Sequence, residues 1–175
     1  MTRISSLEDV HLRPQVAHDM PWLRDLYAST RVEELASVPW PESVKRAFLD
    51  QQFELQRTHF ETFYGAARFL AIIDEQAQPV GRYIILESDP EHLIVDIALF
   101  PHRRGEGIGS ALIQSSLQTA ASRNSATALH VLKHNAAAVR LYQRLGFKVS
   151  ANDGSHWRMR WTPEDHLDAP KLALV

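Results

Sequence analysis

Hydrophobic residues near the N-terminus recur at helical spacing, whereas further along the chain they cluster in short runs. Residues 10–14 predict a short first strand that ends at a proline. Two helices follow, one with Asp19 as its N-cap and a longer one from about Pro41 to a stop at Gly65. Their apolar residues are three and four positions apart, which is the period of an α-helix. These residues are Trp22, Leu23, Leu26 and Tyr27 in the first helix and Leu49, Phe53, Phe60 and Phe63 in the second.

From residue 68 onward, short runs rich in β-branched and aromatic residues predict strands. A meander of three strands is predicted first, over 68–74, 80–87 and 92–100. The later predictions are a helix over 107–123, a strand over 126–132, a helix over 136–145 that Gly146 stops, and strands over 147–150 and 156–161. This order of elements predicts an α/β or α+β sandwich built on a mixed sheet.

Composition narrows the class of protein. A chain of 175 residues, of which 45% are hydrophobic and 23% charged, is typical of one globular domain. Its 19 basic and 21 acidic residues give a net charge of -2, which argues against a nucleic-acid partner. The absence of cysteine excludes disulfides, thiolate metal sites and a cysteine nucleophile. No secretory leader precedes Pro14 and no apolar run is long enough for a membrane helix, so we expect a cytoplasmic protein with no membrane partner.

A glycine-rich turn joins the strand at 92–100 to the helix at 107–123, and its sequence over residues 100–110 is FPHRRGEGIGS. The first N–H groups of a helix are unpaired and lie at the positive end of its dipole. Glycines at 105, 107 and 109 lack the Cβ atoms that would keep an anion from those groups. Arg103 and Arg104 add positive charge, so the turn is suited to phosphate or pyrophosphate.

Two common phosphate motifs do not fit this turn. A P-loop needs a lysine after its last glycine, and none follows here. The dinucleotide fingerprint needs a third glycine where this chain has Ser110. A tight turn whose glycines only permit left-handed dihedral angles remains the alternative interpretation.

The segment RGEGIG at 104–109 resembles the acetyl-CoA pyrophosphate loop, Arg/Gln-x-x-Gly-x-Gly/Ala, of the GNAT family of N-acetyltransferases. The segment NAAAVRLYQRLGF at 135–147 resembles that family's second cofactor segment, Asn-x-x-Ala-x-x-Leu-Tyr-x-x-x-Gly-Phe. The two motifs stand in the expected order and separation, which is more specific than either alone. The close match covers about 93–147, and the remainder agrees in element order only.

The resemblance implies one acetyltransferase domain over 1–162 with a C-terminal extension over 163–175. It implies a mixed, mostly antiparallel sheet of about seven strands, flanked by four helices. The fourth strand, ending at 99–100, would splay from the fifth, 126–132, to admit the pantetheine arm of acetyl-CoA as cosubstrate. The residues implied in cofactor binding are Ala98, Leu99, Phe100, Arg104, Gly105, Glu106, Gly107, Ile108, Gly109, Ser110, Asn135, Ala138 and Tyr142. No metal is expected.

Transfer of an acetyl group to an amine needs alignment, a polarised carbonyl, a neutral amine and a proton for the leaving thiolate. The resemblance places Tyr142 beside the thioester sulfur, where its phenol could donate that proton. A core tyrosine beside Leu141 and Leu145 is the alternative. Asp96 is a candidate base in an apolar strand, where a carboxylate must be paired or costs several kcal/mol, but it could equally lie on the solvent side of an edge or cap a neighbouring loop. Glu87 is a second candidate, and a chain of water molecules could replace either residue.

Three functions are considered. The first is acetyl-CoA-dependent acetylation of a small-molecule or peptide amine. The second is a non-catalytic acyl-CoA-binding sensor or assembly module, and the third is an interaction domain in which the turn is incidental. The strand with Trp157 and Trp161 and the hydrophobic C-terminus could also form a homodimer contact.

The histidines, the arginines of the last strand and Trp40 give weaker indications of function. The histidines, including His130 and His134, lack a metal-binding pattern. Arg158 and Arg160 could touch the cofactor, although an exposed strand face is the preferred interpretation. Trp40 either belongs to an acceptor-binding loop or packs against the second helix.

Overall fold

Seven strands form a single sheet in the order β1-β2-β3-β4-β5-β7-β6 in the computed structural model, which describes residues 9–164. The strands are β1 (Val10–Pro14), β2 (Arg68–Asp74), β3 (Pro79–Leu86), β4 (Glu91–Leu99), β5 (Ala126–Leu132), β6 (Lys148–Asp153) and β7 (His156–Trp161). Strands β4 and β5 run parallel, whereas the β1–β2, β2–β3, β5–β7 and β6–β7 pairs are antiparallel. The predicted mixed, mostly antiparallel sheet is therefore confirmed.

Five α-helices accompany the sheet within residues 9–164. They are α1 (Met20–Ser29), α2 (Val32–Leu35), α3 (Glu42–Phe63), α4 (Ile108–Ser122) and α5 (Ala136–Arg144). Four of them match predicted helices to within a few residues. The four-residue α2 was not predicted, because one turn is too short to show a helical period. No helix in this part of the chain is both long and apolar enough to cross a bilayer.

The described part of the chain divides into two units: residues 9–85 together with 96–109, and residues 86–95 together with 110–164. Most of the predicted C-terminal extension, 163–175, lies outside the described residues.

In the first unit, α1 and α3 share a core in which the centroids of the Tyr27 and Phe53 rings are 5.9 Å apart. Leu49 and Phe53 are buried as their spacing predicts, but Phe63 at the end of the same stripe is 68% exposed.

Asp19 directly precedes α1, as predicted, yet its side chain does not cap the helix. Its two carboxylate oxygens each accept a hydrogen bond of 2.7 Å from the Arg13 guanidinium. They also accept bonds from the Val16 backbone N–H and the Trp22 indole N–H. Asp19 thus connects β1 to α1. The Arg13 hydrogen bonds are the main reason that the pKa of this buried carboxyl falls to about 2.

Asp19→Asn is expected to lower the free energy of unfolding at pH 7 by roughly 2 kcal/mol. Because the folded-state pKa is lowered, the stabilisation is fully present above about pH 4 and is lost as pH falls towards 2. The difference between wild type and variant should therefore shrink by about half at pH 3. Urea unfolding at both pH values measures it. Asp50→Asn, which removes a half-exposed partner of Arg46, is the control and should cost under about 1 kcal/mol. A difference independent of pH would contradict the prediction.

In the second unit, β7 alternates as its sequence predicts. Trp157, Met159 and Trp161 lie opposite Val131, Leu129 and Thr127 of β5, respectively. Met159 and Trp161 are buried, so this face of the strand belongs to the core of the unit. Trp161 is therefore not available for the dimer contact that its sequence suggested. The C-terminal residues 172–175, the other suggested contact, lie outside the described part of the chain.

Candidate functional site

The carboxyl half of β4 lies unusually close to β3. A Cβ atom on Gly81 would be 2.1 Å from the carbonyl oxygen of Ala98, so only glycine fits this position. Two residues after Ala98, the Phe100 N–H donates to the Val80 carbonyl at 3.0 Å. The predicted cofactor-binding residues Ala98, Leu99 and Phe100 are thus fixed along one edge by the neighbouring strand.

The glycine-rich turn follows directly, and two of its three glycines need their conformational freedom. Gly105 and Gly107 have φ angles of +77° and +83°, which other residues adopt only with strain. Gly109 is already inside α4, and a Cβ there would meet only ordinary contacts, 3.8 Å from the nearest side-chain atom. Of the three glycines that the sequence predicts to be needed in the turn, only Gly105 and Gly107 therefore require the conformational freedom of glycine in this structure.

The turn and the start of α4 together fit a phosphate group. A backbone that enters a helix through left-handed glycines presents consecutive N–H groups, and those of the first helical turn have no intrahelical partner. The helix dipole adds partial positive charge at this end. No atom lies within 4 Å of the position that a Gly105 Cβ would take, so the turn is open on that side. The residues present fit the diphosphate of a nucleotide cofactor.

The two arginines of the turn differ in their partners. Arg103 donates to Asp74 at 2.9 Å and to Glu106 at 3.1 Å, so two carboxylates offset its charge. Asp74 also accepts the backbone N–H groups of Gln76 and Gln78 at the β2–β3 turn. The Gln78 hydrogen bond is the main cause of the lowered pKa of Asp74, and Arg103 contributes. Arg103 therefore fixes the turn to the β2–β3 hairpin.

Arg104 is exposed, and its Nε donates to the Leu99 carbonyl oxygen at 3.0 Å. Among the residues that the structure describes, it has no carboxylate partner. Of the two cations predicted to lie at the rim of the anion site, Arg104 is the one whose charge is not offset.

Asp96 is paired rather than isolated among apolar residues. Its Oδ2 accepts a hydrogen bond of 2.7 Å from Arg82 Nε on β3. Arg82 is itself buried, donates to Gln56 Oε1 of α3 at 2.5 Å and lies 5.8 Å from the centroid of the Phe60 ring. The paired state is one of the alternatives that the sequence leaves open for Asp96. It accounts for a carboxylate inside an apolar strand.

The second unit contains the remaining residues predicted to bind the cofactor, which are Ser110, Asn135, Ala138 and Tyr142. Here β4 pairs with β5 over only four residues, from Glu91 opposite Ala126 to Ile94 opposite Leu129. Both strands continue beyond the last pair, β4 to residue 99 and β5 to residue 132. A pairing confined to the first half of β4 agrees with the splay that the sequence predicts.

Asn135 is the N-cap of α5, where its Oδ1 accepts the Ala138 N–H at 3.2 Å. Both motif residues therefore lie at the first turn of this helix. Asparagine is among the residues that cap helices best, because its side-chain oxygen replaces a missing backbone acceptor. Its amide nitrogen is not used by this cap.

Tyr142 is held by the end of α5. Gly146, with φ of +95°, closes the helix: its N–H donates to Gln143, and the Phe147 N–H donates to the Tyr142 carbonyl at 3.0 Å. These two bonds form a Schellman motif, as the predicted C′ glycine requires. The half-buried Tyr142 ring meets the buried Phe147 ring edge-on at 5.9 Å. The backbone of the second sequence motif thus serves to position this tyrosine.

Arg158 and Arg160 both bind the carboxylate of Glu91, Arg160 at 2.8 Å. This ion-pair cluster joins β7 to β4 and favours the interpretation as a strand face over contact with a cofactor. Burial lowers the pKa of the nearby His130, and the positive charge of Arg158 adds to the effect.

Sequence reasoning missed the partners of the charged residues. Asp74 and Arg103 are 29 residues apart, Arg82 and Asp96 are 14 apart, and no local pattern connects either pair.

Two cavities in the first unit, of about 530 and 420 Å3, are lined by none of the predicted catalytic or cofactor-binding residues. The smaller one lies where α1, α2 and α3 meet.

A family model described as the acetyltransferase (GNAT) family matches residues 29–147. No curated protein sequence matches the chain. Solved structures do resemble it. The PaiA N-acetyltransferase from Thermoplasma acidophilum, in complex with coenzyme A, has a TM-score of 0.65 at 16% identity, and the likeness covers 87% of this chain and 98% of that one.

Two further structures are similar. The spermidine N-acetyltransferase from Vibrio cholerae, in complex with CoA and spermine, has a TM-score of 0.62 at 20% identity over 92% of this chain and 99% of that one. A structure described as histone acetyltransferase HPA2 and related acetyltransferase, from Corynebacterium glutamicum, has a TM-score of 0.61 at 21% identity, over 89% and 97%. At such identities these likenesses show a shared fold.

Proposed function

The chain belongs to the acetyltransferase (GNAT) family, and we propose on this basis that it moves an acetyl group from acetyl-CoA to a primary amine within a ternary complex. The observation that carries the proposal is the turn at 104–110, where left-handed Gly105 and Gly107 lead into the start of α4. Two of the similar structures contain coenzyme A, which supports acetyl-CoA as the cosubstrate.

We assign the diphosphate to the backbone N–H groups of residues 104–110, with the Arg104 guanidinium as an added cation. Residues 98–100 would hydrogen-bond the pantetheine arm, as an added strand does at a sheet edge. The side-chain amide of Asn135, whose oxygen caps α5, would donate to the same arm, with Ala138 beside it. Acetyl-CoA supplies an activated acyl group, and every other part of the reaction depends on positioning and proton transfer.

In the proposed reaction the nitrogen of a neutral amine attacks the thioester carbonyl carbon. A carbon–nitrogen bond forms and the carbon–sulfur bond breaks. The departing thiolate takes a proton from the Tyr142 hydroxyl, and the amine loses one proton. Because a phenol and an alkyl thiol hold protons with similar strength, transfer from Tyr142 is close to balanced. No covalent enzyme intermediate is needed, which agrees with a chain that has no cysteine.

We propose Asp96 as the group that receives the amine proton, directly or through water. Arg82 binds Oδ2, and within the described residues Oδ1 has no hydrogen-bond partner. A carboxylate held on one side and open on the other can orient an amine or a water molecule in a fixed direction. Arg82 in turn is fixed by Gln56, so the direction is set by α3 as well as by the sheet.

Acetyl transfer is tested by following coenzyme A release from acetyl-CoA with a panel of amines. The panel should include polyamines, since one similar structure contains spermine, together with single amino acids and peptides with free N-termini or lysines. We expect turnover with at least one class. Calorimetry with coenzyme A runs in parallel. Binding without turnover across the panel would favour the non-catalytic module, and absence of binding would refute both functions.

A further inference from the structure

Helix α3 carries a stripe of four apolar side chains and one histidine along its length. We call the set Val44, Phe48, Leu55, His59 and Phe63 the α3 stripe. Phe48 is only half-exposed, because it also packs against the core between α1 and α3. Val44, Leu55 and Phe63 are 46%, 59% and 68% exposed, and Trp40, edge-on to Phe48 at 5.6 Å, extends the stripe at its N-terminal end. With 100° between successive residues, the five side chains fall within about 100° of the helix circumference. A largely apolar exposed surface of this length indicates a docking site.

Most of the surface around the stripe is uncharged. The positions that share or flank its arc are Ala47, Gln51, Gln52, Thr58 and Thr62. Of the α3 carboxylates, Asp50, Glu54 and Glu61 lie away from the stripe and each pairs with an arginine, whereas Glu42 lies near its margin. Lys45, at one margin of the stripe, pairs with Glu42. A partner with the same uncharged surface would therefore bury almost no unpaired charge.

The spacing of the stripe is symmetric about its own centre. Counting Gln52, its positions are separated by four, four, three, four and four residues. A two-fold axis through the midpoint would place Val44 of one copy opposite Phe63 of another. It would likewise place Phe48 opposite His59, and Gln52 opposite Leu55. An isologous dimer interface requires this reciprocity. If a residue of one copy contacts a second position on the other copy, that second position of the first copy contacts the same residue of the other.

We propose that the α3 stripe binds a second copy of this chain, with the two α3 helices antiparallel. The helix has 22 residues and is about 33 Å long, so the contact spans the width of a small domain. The exposed parts of Trp40, Val44, Leu55 and Phe63 supply roughly 400 Å2 per copy, about half of the roughly 800 Å2 per partner of a specific interface, and the exposed residues at 47, 51, 58, 59 and 62 add to it. This inference does not depend on the proposed acetyl transfer.

Cross-linking tests both the interface and its direction, because a chain without cysteine allows single cysteines to be placed at will. Val44→Cys and Phe63→Cys are prepared separately in the full chain, mixed, and treated with a short bismaleimide. The mixture should give a cross-linked dimer, whereas each variant alone should not, since identical positions would lie about 28 Å apart along the axis. Cross-linking of Val44→Cys with itself, or no cross-link in the mixture, would overturn the proposal.

Oligomeric state gives an independent readout. Analytical ultracentrifugation from about 1 to 200 μM brackets the micromolar affinity expected of an interface of this size. Wild type should dimerise, and Leu55→Glu with Phe63→Glu should raise the dissociation constant by at least about 100-fold through buried charge. Val149→Glu, the same change at a 48% exposed residue of edge strand β6, is the control and should leave the dimer intact. A monomeric wild type, or dissociation caused only by Val149→Glu, would refute the α3 interface.

Discussion

Replacement of Gly107 by valine is expected to raise the dissociation constant for coenzyme A by at least about 100-fold. At φ of +83° a side chain with Cβ costs about 1–2 kcal/mol, and a β-branched one costs more. The loop can relieve this strain only by leaving the conformation in which its N–H groups face an anion. Isothermal calorimetry with coenzyme A measures the loss, and circular dichroism confirms that the variant is folded.

Gly109→Ala is the control for this experiment. The residue lies two positions further on, within α4, and a Cβ there would make ordinary contacts with Ile97 and Leu99. Affinity should change by no more than a few-fold. If Gly107→Val binds coenzyme A as tightly as wild type, the turn is not the diphosphate site and the proposed function loses its main support.

Tyr142→Phe is expected to lower kcat by about 100- to 1000-fold, within the range that general acid catalysis supplies. The affinity for coenzyme A should stay within about two-fold, because the variant keeps the ring that contacts Phe147. Steady-state rates across pH and calorimetry separate the two effects. A general acid contributes to turnover, whereas a purely structural tyrosine would change stability without this selective loss.

Tyr64→Phe provides the comparison, since it removes a phenolic oxygen at the end of α3. Its turnover should match wild type. Equal rates for Tyr142→Phe and wild type at every pH would exclude Tyr142 from the mechanism. In that case the leaving thiolate would take its proton from solvent or from another group.

Periodic elements were the most predictable part of this fold. Strands β2 and β5 have the predicted bounds, 68–74 and 126–132, because each is a short, mostly apolar run between polar turns. The stop at Gly146 was also predictable, since a glycine after an amphipathic helix favours a left-handed C′ residue. Helix α2 was missed because a single turn between two longer helices leaves no periodic signal.

The chemistry of individual residues was less predictable, because pairing across strands depends on tertiary structure. Asp96 could be recognised as unusual within an apolar strand, but nothing near it in sequence identifies Arg82 as its partner. The arginine pair of the glycine-rich turn illustrates the same limit. Adjacent in sequence, Arg103 faces two carboxylates whereas Arg104 faces a backbone carbonyl.

Motif residues differ from these because their roles are largely local. Asn135 caps its own helix, and Gly105 and Gly107 set their own dihedral angles, so a sequence pattern contains most of the information. The conformation of such a segment is fixed by contacts within a few residues. This explains why a resemblance confined to about 93–147 sufficed to indicate the family.

The carboxylate of Asp74 closes the β2–β3 turn and also anchors Arg103, and this limits where the protein can be labelled. A peptide tag or fluorophore inserted at residues 75–78 would pull on Gln76 and Gln78 and, through the shared carboxylate, on the glycine-rich turn. The β6–β7 turn has a similar connection, since the Ser155 carbonyl accepts the Lys133 N–H at 3.0 Å, two residues before Asn135, and Gly154 has φ of +54°. A reporter group is therefore better attached outside both hairpins.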